Sequence, residues 1–311
     1  MKKIIVVLMG GLSDERAISI LSGKACSSAL KKKGFKVVEI DGRGHFVEKL
    51  KKLKPKAVFN ALHGKYGEDG FVQSILESIK IPYTHSGVLS SSLAMDKELS
   101  RLIFKKNNLK VPKYFILNKN QNEFEKKMKA KNINFPIVIK PINEGSSLGV
   151  YICKNKKDFL KKYKKLEKKY SQIIIEKYIS GREIQVAVMG KKALGAIELV
   201  PKRSFYDYKA KYSNKAKTEH IMPAKISSIK YNEVLNIAKK AHRLLGCKGV
   251  TRSDFRFNDN KFYLLETNTQ PGMTKLSLVP EIARHAGINF EDLVVWMIRD
   301  ASTNRWEIFI K

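Results

Sequence analysis

Short apolar runs alternate with amphipathic segments along the first third of the chain. The periodicity predicts strands at residues 3–9, 36–40 and 57–62, with helices beginning at Asp14 and covering 47–53. Ser13 is predicted to be the N-cap of the first helix, and its buried face is predicted to consist of Ala17, Leu21, Ala25 and Ala29. This strand, helix, strand order is typical of a small parallel sheet.

The pattern restarts after a predicted boundary at residues 107–112, which follows a helical region over 89–106. Further strands are predicted at 114–117, 172–175, 183–188 and 193–199, with helices at 156–170 and 232–245. Residues 201–224 have no sustained period and are too long for a simple connection. They are predicted to form a functional loop or lid.

Polar and apolar positions alternate in step along a β-hairpin that begins at Arg252. One polar face carries Arg252, Asp254 and Arg256, and the other carries Leu264, Glu266 and Asn268. These faces match only if Asp254 lies opposite Glu266, which requires a three-residue turn at 259–261. Two carboxylates and an amide oxygen on neighbouring strands suit Mg²⁺. The hairpin therefore predicts a magnesium-nucleotide site, against the alternative of a solvent-exposed face with ordinary charge pairs.

Two glycine-containing loops carry further candidate chemistry. The loop at 63–70 (HGKYGEDG) contains His63 and two acids after a predicted strand, and its glycines permit close approach of the backbone. Glu15 follows the first predicted strand, where ligands bind in open α/β sheets, with simple helix capping as the alternative. The loop after Lys140 joins two apolar strands and contains Ser146 and Ser147, whose backbone N–H groups can wrap phosphates. The alternatives are a structural histidine in the first loop and a plain hairpin in the second.

Composition narrows the classes of function. The chain has 311 residues, 43% of them hydrophobic, and its longest apolar run, Ile4–Met9, is too short to cross a membrane. A cytoplasmic location is therefore the default expectation. The net charge of +32 comes from 50 Lys and only 11 Arg, spread over helix faces, so no specific nucleic-acid role is expected. Cys26, Cys153 and Cys247 have no metal or disulfide spacing.

Seven motifs in order resemble the D-alanine–D-alanine ligases of the ATP-grasp superfamily. They are LMGGLSDERAISILSG, HGKYGEDG, IPYTHSGVLSSSLAMDK, IKPINEGSSLGV, EKYISGRE, FYDYKAKY, and RSDFRF with LLETNTQPGMTKLSLVP. The resemblance implies an α/β, three-domain ATP-grasp fold, with an N-terminal parallel-sheet domain (1–95) and two α+β domains (96–180 and 181–311) that hold ATP between them. His85 departs from the pattern, since many relatives have glycine before Ser86.

The resemblance also implies residue roles. ATP is expected at Lys97, Lys140, Ser147, Glu176, Lys177, Ile179, Glu183 and Lys211, and Mg²⁺, with Mn²⁺ as an alternative, at Asp254, Glu266 and Asn268. The substrates are expected at Glu15, His63, Arg252, Gly272, Ser277 and Leu278. Ser146 and Tyr212 are expected to join Glu15 in a hydrogen-bonded trio, while Arg252 and the Gly272 N–H stabilise an oxyanion.

The reaction implied is ATP-dependent formation of D-alanyl phosphate, followed by attack of a second D-alanine amine. Tyr212 implies a dipeptide product, because relatives that make D-alanyl-D-lactate depart at this position. A homodimer is also implied by resemblance alone. The alternatives are a ligase with another second substrate, and a lysine-rich polyanion-binding protein with a vestigial site.

Overall fold

The amino-terminal region is a parallel sheet with helices on both faces. In the computed structural model, residues 4–119, 123–201, 218–274 and 276–305 are described. The sheet has the order β2-β1-β3, as the βαβ pattern predicts. Its elements are β1 (Ile4–Met9), α1 (Arg16–Lys32), β2 (Lys36–Asp41), α2 (Phe46–Leu53), β3 (Ala57–Asn60) and α3 (Phe71–Ser78).

Helix α1 differs from its prediction at its start and on its buried face. It begins at Arg16, two residues later than predicted, with Glu15 in the N-cap position. Ala17 and Leu21 are exposed, and the buried face carries small polar residues such as Ser19. Ser19 fits there because its hydroxyl accepts from Gly10 N–H and donates to the carbonyl of Ala61. Ile18, Cys26, Leu30 and the predicted Ala29 are buried on the same face, so hydrogen bonding and apolar area together decide which face packs.

A four-stranded antiparallel sheet follows two short helices. The predicted helical region 89–106 is two helices, because the Asp96 carboxylate accepts from the N–H groups of Glu98 and Leu99 and starts a second helix. The sheet order is β4-β7-β5-β6, and β5 pairs with β6 around the serine-containing loop, which confirms the predicted strand-loop-strand. These elements are α4 (Val88–Met95), α5 (Lys97–Lys106), β4 (Tyr114–Asn118), α6 (Phe124–Lys131), β5 (Ile137–Pro141), β6 (Tyr151–Cys153), α7 (Lys156–Leu166) and β7 (Gln172–Lys177).

A five-stranded antiparallel sheet of order β10-β9-β8-β11-β12 carries the hairpin. Its strands are β8 (Arg182–Met189), β9 (Lys192–Val200), β10 (Glu219–Ile221), β11 (Val250–Asn258) and β12 (Lys261–Asn268). The accompanying helices are α8 (Ser228–Leu244), α9 (Leu278–His285) and α10 (Phe290–Asp300).

The hairpin register is confirmed, but the predicted three-residue turn is wrong. Asp254 pairs with Glu266 and Arg252 with Asn268, as predicted. The turn itself is the two-residue Asp259–Asn260, with positive φ values of 47° and 57°. A β-bulge at Leu265 supplies the missing residue, since Phe255 pairs with Leu264. Leu264 consequently lies in the apolar core, not on the polar face.

One hydrophobic core joins the two ends of the chain. Residues of β1, α1 and β3 pack with residues of α9 and α10 and with one face of the five-stranded sheet. A second core lies between the other face of that sheet and α8. Among the residues described, none of the helices combines the length and apolar character that crossing a membrane requires. The domain boundaries given above stay a prediction.

Candidate active site

Two adjoining cavities meet at the hairpin. The first lies between the two antiparallel sheets, and the second lies between the hairpin and the loops that follow β1 and β3. Both are lined by Lys97, Glu144 and Glu266, so a group bound in one cavity lies beside a group bound in the other. The predicted residues in the first are Lys97, Lys140, Ser147, Glu176, Lys177, Ile179, Glu183, Asp254 and Glu266. Those in the second are Glu15, His63, Lys97, Ser146, Arg252, Glu266, Asn268 and Gly272.

A buried charge array forms the wall of the first cavity. Lys140 Nζ lies 3.0 Å from Glu176 Oε1, and Arg101 Nη2 lies 2.5 Å from Glu176 Oε2. Burial raises the pKa of Glu176, but Arg101 and Lys140 outweigh it and hold this pKa below its usual range. Burial lowers the pKa of Lys140, and Glu176 opposes this effect. The array keeps two cations and one anion in the interior beside the cavity.

Lys97 connects the serine-containing loop to the hairpin. Its Nζ donates to the carbonyl of Glu144 at 2.5 Å and lies 3.4 Å from Glu266 Oε2. The side chain is 7% exposed, so its charge is only weakly screened by solvent. Its ammonium therefore lies where the two cavities join.

The far edge of the first cavity is held by Arg256, whose position on the polar face was predicted without a role. Its Nε donates to the carbonyl of Ile179 at 3.1 Å, and its Nη1 lies 3.4 Å from Glu183 Oε2. Ile179, Glu183 and Lys177 all line this edge, as the resemblance implies. Exposed strand-end backbone beside an acid suits recognition of a base and a ribose.

The serine-containing loop closes over both cavities. Ser146 and Ser147 have φ values of 49° and 60°, so their backbone is in the left-handed region. A Cβ atom on Gly145 would lie 3.2 Å from Glu68 Oε1 and 3.4 Å from Glu15 Oε2. Glycine at this position lets the loop backbone approach both acids.

The predicted metal ligands lie on both strands of the hairpin, with Asp254 on β11 and Glu266 and Asn268 on β12. Asp254 receives two hydrogen bonds from Arg252, at 2.7 and 3.0 Å, and the Asn268 side-chain oxygen accepts from Gln270 N–H at 2.8 Å. Within the described residues, no group of three or more His, Cys, Asp or Glu is arranged to hold a metal. The candidate metal ligands are therefore the carboxylates of Asp254 and Glu266 and the amide oxygen of Asn268. This hard-oxygen set fits Mg²⁺ when phosphate oxygens and water complete its coordination.

Two buried acids share the second cavity. Glu15 and Glu68 are 3% and 7% exposed, and the Gly64 N–H donates to Glu68 Oε1 at 3.0 Å. Burial and the nearby Glu15 charge raise the pKa of Glu68 well above its usual range. A cationic group bound between these acids would offset the repulsion between their charges.

His63 is a neutral histidine in the wall of the second cavity. Its Nε2 lies 3.2 Å from the Ser22 hydroxyl. Burial and the positive charge of Arg252 lower the pKa of His63 to about 4, while backbone hydrogen bonding at Gln270 opposes the shift. At neutral pH the imidazole is therefore a hydrogen-bonding group without charge.

Gly272 lines the second cavity, and Ser277 lies beside Gly272. A Cβ atom on Gly272 would lie 2.9 Å from Ser277 Oγ, and Ser277 Oγ accepts from Thr274 N–H at 2.9 Å. The Leu278 side chain is buried in the core, which leaves only its backbone at the start of α9 to face a ligand. Neither Ser277 nor Leu278 lines either cavity.

Three buried residues of the site were missed as candidates. Glu68 lies in the predicted loop 63–70, where two acids were noted without a role. Gln270 accepts from the Asn60 side-chain amide at 3.0 Å and donates to the carbonyl of Leu62. Arg101 lies one helical turn after Lys97 on α5, a spacing that could have indicated a shared face. Lys211 and Tyr212 lie outside the described residues.

Comparisons with known proteins agree with the motifs. A family profile described as "D-ala D-ala ligase C-terminus" matches residues 103–299. The D-alanine–D-alanine ligase of Pelagibacter ubique (strain HTCC1062) is 55% identical over 306 residues, which are 98% of this chain and 100% of the relative. That of Wolbachia pipientis wMel is 46% identical over 300 residues, 96% of this chain and 94% of the relative.

Solved structures agree as well. The crystal structure of a D-alanine–D-alanine ligase from Bacillus anthracis superposes with a TM-score of 0.86 at 34% sequence identity, covering 96% of this chain and 97% of that one. A Bacillus anthracis structure described as complexed with ATP has a TM-score of 0.82 at 31% identity, with the same coverage.

Proposed function

The chain belongs to the D-alanine–D-alanine ligase family, and from this premise we propose that it joins two D-alanines at the expense of ATP. The products are D-alanyl-D-alanine, ADP and phosphate, and the dipeptide serves peptidoglycan synthesis. The observation that carries the proposal is the meeting of two cavities at Lys97 and Glu266. A nucleotide in the first cavity would present its terminal phosphate to a carboxylate bound in the second.

The first cavity would hold ATP between the two antiparallel sheets. Lys97 and Lys140 would neutralise phosphate charge, and the loop with Ser147 would cover the phosphates. Glu176, Lys177 and Ile179 would contact the base, and Glu183 the ribose. The ion pair between Arg256 and Glu183 supports this arrangement, because it fixes the edge of the cavity before any ligand binds.

Asp254, Glu266 and Asn268 would hold Mg²⁺, or Mn²⁺ in its place. A bound divalent ion supplies positive charge beside the phosphate oxygens. Glu266 borders both cavities, whereas Asp254 borders the first and Asn268 the second. The set therefore spans the line along which phosphate is transferred.

In the first step, the ammonium group of the first D-alanine would bind between Glu15 and Glu68, and its carboxylate would attack the γ-phosphate. Lys97 and Lys140 would offset the charge on the transferring group, together with Lys211 from the predicted lid. The P–O bond to ADP breaks as the D-alanyl phosphate forms. Ser146 and Tyr212, with Glu15, would keep the loop and lid closed and so exclude water.

In the second step, the amine of another D-alanine would attack the D-alanyl carbonyl, and phosphate would leave. Arg252 and the Gly272 N–H would stabilise the oxyanion, while His63 would border the first substrate. Ser277 and the backbone of Leu278 would receive the second carboxylate at the start of α9. The short distance between Gly272 and Ser277 supports a shared subsite.

We propose further that the enzyme is a cytoplasmic homodimer, as the family resemblance implies. Tyr212 supports a dipeptide rather than an ester product. A coupling reaction with D-alanine and D-lactate together tests this point, and a dominant ester would overturn it.

Phosphate release and product analysis test the main proposal. Purified protein with Mg²⁺ and ATP should release phosphate with D-alanine and form D-alanyl-D-alanine, detected by mass spectrometry. L-alanine and a reaction without amino acid should give background rates. Equal rates with either enantiomer, or no dipeptide, would refute the proposal.

A further inference from the structure

The proposed mechanism gives no role to Arg101 on α5, yet this side chain is fully buried, with 0% of its surface exposed. It is the largest fully buried side chain in the described part of the chain. A charged guanidinium in the interior is costly unless its partners are well placed. Its position one turn after Lys97 brings it to the same region of α5.

The guanidinium contacts both antiparallel sheets. Arg101 Nη2 lies 2.5 Å from Glu176 Oε2 on β7 and donates to the carbonyl of Leu265 on β12 at 3.2 Å. Its centre lies 5.2 Å from the centroid of the Tyr114 ring on β4. Nε and Nη1 have no hydrogen-bond partner within the described residues. One nitrogen, Nη2, therefore makes the polar contacts to both sheets.

The contact with Leu265 falls on the β-bulge. A bulge leaves its extra residue out of the regular ladder, so the carbonyl of that residue needs another donor. The Arg101 guanidinium supplies one. Because the bulge shifts the register between the turn and Glu266, holding it also holds the Glu266 carboxylate in place.

The contact with Glu176 determines how strongly this carboxylate binds Lys140. Glu176 Oε1 lies 3.0 Å from Lys140 Nζ, while Arg101 lies against the other oxygen. With both cations present the array carries a net positive charge, which suits a phosphate anion in the adjoining cavity. Without Arg101, Glu176 would neutralise Lys140 alone and draw its ammonium away from a phosphate.

We propose that Arg101 is a positioning residue for transfer of the ATP phosphate. Through Glu176 it sets the place of the Lys140 ammonium. Through the Leu265 carbonyl it holds the bulge that brings Glu266 into the site. This inference rests on the proposed ligase function and assigns a dedicated residue to the alignment of its two sheets.

Arg101→Met tests the proposal by a split between kinetic constants. The KM for ATP should rise by about 10- to 100-fold, and the KM for D-alanine should change by less than about threefold. Arg101→Lys should give an intermediate KM for ATP, because an ammonium can pair with Glu176 but lacks the fixed fork of guanidinium donors that also reaches the Leu265 carbonyl. A lower melting temperature with an unchanged KM for ATP would show a merely structural role and overturn the inference.

Arg305→Met is the matched control. Arg305 is also buried, at 3% exposure, and neither arginine lines a cavity itself. Arg101 contacts Glu176 and Leu265 of the first cavity, whereas Arg305 Nη2 lies 3.0 Å from Asp300 Oδ2, which lines neither cavity. This variant should lose stability while its KM for ATP stays within about twofold of wild type. A rise in the KM for ATP equal to that of Arg101→Met would overturn the inference.

A double-mutant cycle with Glu176→Gln tests the path of the effect. If Arg101 acts on ATP through Glu176, Arg101→Met should raise the KM for ATP clearly less in the Glu176→Gln background than in the wild-type background. Any remaining rise would then come from the contact with the Leu265 carbonyl. Additive effects would contradict the proposed path. Should wild-type protein not couple D-alanine, the ligase proposal fails, and MgADP affinity then decides about Arg101. Arg101→Met must weaken MgADP binding if the inference holds, and equal affinity would overturn it.

Discussion

In the first cavity, the carboxylates Glu176, Glu183 and Glu266 each form an ion pair with a lysine or an arginine. In the second cavity, the carboxylates Glu15 and Glu68 lie near each other, and burial together with the charge of Glu15 raises the pKa of Glu68. Glu176 in the first cavity and Glu15 and Glu68 in the second are buried, so the balance of charge in each cavity is felt strongly. The two cavities therefore favour ligand groups of opposite charge.

The difference follows from what each cavity would bind. Paired carboxylates hold the lysines of the first cavity in place, so that phosphate oxygens meet fixed cations without reorganisation. The acids of the second cavity keep a mutual repulsion that an ammonium group relieves. Glu266 belongs to both linings, and changing it should disturb both halves at once.

Glu266→Gln is expected to have the largest effect. The amide loses the pair with Lys97 and one charge from the metal set, so kcat/KM for D-alanine coupling should fall by at least about 1000-fold. The measurement is ADP release at saturating ATP. Glu233→Gln, which changes a surface pair with Lys230, is the matched control and should keep wild-type activity. A loss of less than tenfold in Glu266→Gln would contradict a shared role of Glu266 in the two cavities. A polyanion-binding protein would show no loss.

The second cavity should also make stability depend on pH through His63. Its folded-state pKa is lowered from 6.5 to about 4, so the unfolded chain takes up a proton first. Stability is thus fully present above pH 6.5 and falls as the pH approaches 4. The expected loss from this group is about 3 kcal/mol, measured by urea unfolding across that range.

His63→Asn should reduce this pH dependence by the same amount. His242→Asn is a matched control, because the pKa of His242 is also lowered to about 4 by burial and the residue lines neither cavity. Both variants should flatten the curve, and only His63→Asn should raise the KM for D-alanine. An unchanged slope in His63→Asn would contradict the assignment.

Gln270→Leu should weaken the hydrogen bonds that join the loop after β12 to the end of β3 in the parallel sheet. It removes one of the two acceptors of the buried Asn60 side-chain amide, which keeps the Gly67 carbonyl, and it removes the side-chain donor to the Leu62 carbonyl. The free energy of unfolding should fall by about 1–3 kcal/mol, and the KM for D-alanine should rise. Gln73→Leu is the control, since the Gly67 carbonyl it leaves still accepts from Asn60. Equal losses of unfolding free energy in the two variants would show that the Gln270 side chain contributes no more to stability than the Gln73 side chain.

Asp14→Asn should have the smallest effect. The Asp14 and Lys169 side chains form a 3.0 Å pair, but they are 70% and 58% exposed. Solvent screens such pairs, so the melting temperature should change by about 1 °C or less and activity should stay unchanged. A larger change in melting temperature or activity would show that exposed charge pairs contribute to stability and function as the buried charges of the two cavities do.

The alternation of polar and apolar residues was sufficient to predict the hairpin pairs at the site, Arg252 with Asn268 and Asp254 with Glu266. The pairs on the turn side of the bulge differ by one residue from the prediction. Asp254 pairs with Glu266 because only this register keeps both polar faces together. The turn length could not be predicted in the same way. A bulge at Leu265 compensates for a shorter turn, and it leaves the pairing near the site unchanged.

The errors elsewhere have a common physical cause, which is that buried polar residues give no periodic signal. Ser19 marks the packed face of α1 through hydrogen bonds, and an apolar pattern passes over it. Arg101 in an amphipathic helix resembles a surface charge, because its partners Glu176 and Leu265 are remote in sequence. The individual ligand roles came from motif resemblance, and they stay predictions.

The core that joins α1 to α10 has a consequence for the order in which the chain is made. On the ribosome, β1, α1 and β3 emerge within the first 60 residues, but α10, which packs on α1 and β3, spans Phe290–Asp300. The face that α10 covers stays exposed until Phe290–Asp300 has been translated. Nascent chains that stall before α10 would therefore present an apolar surface to chaperones.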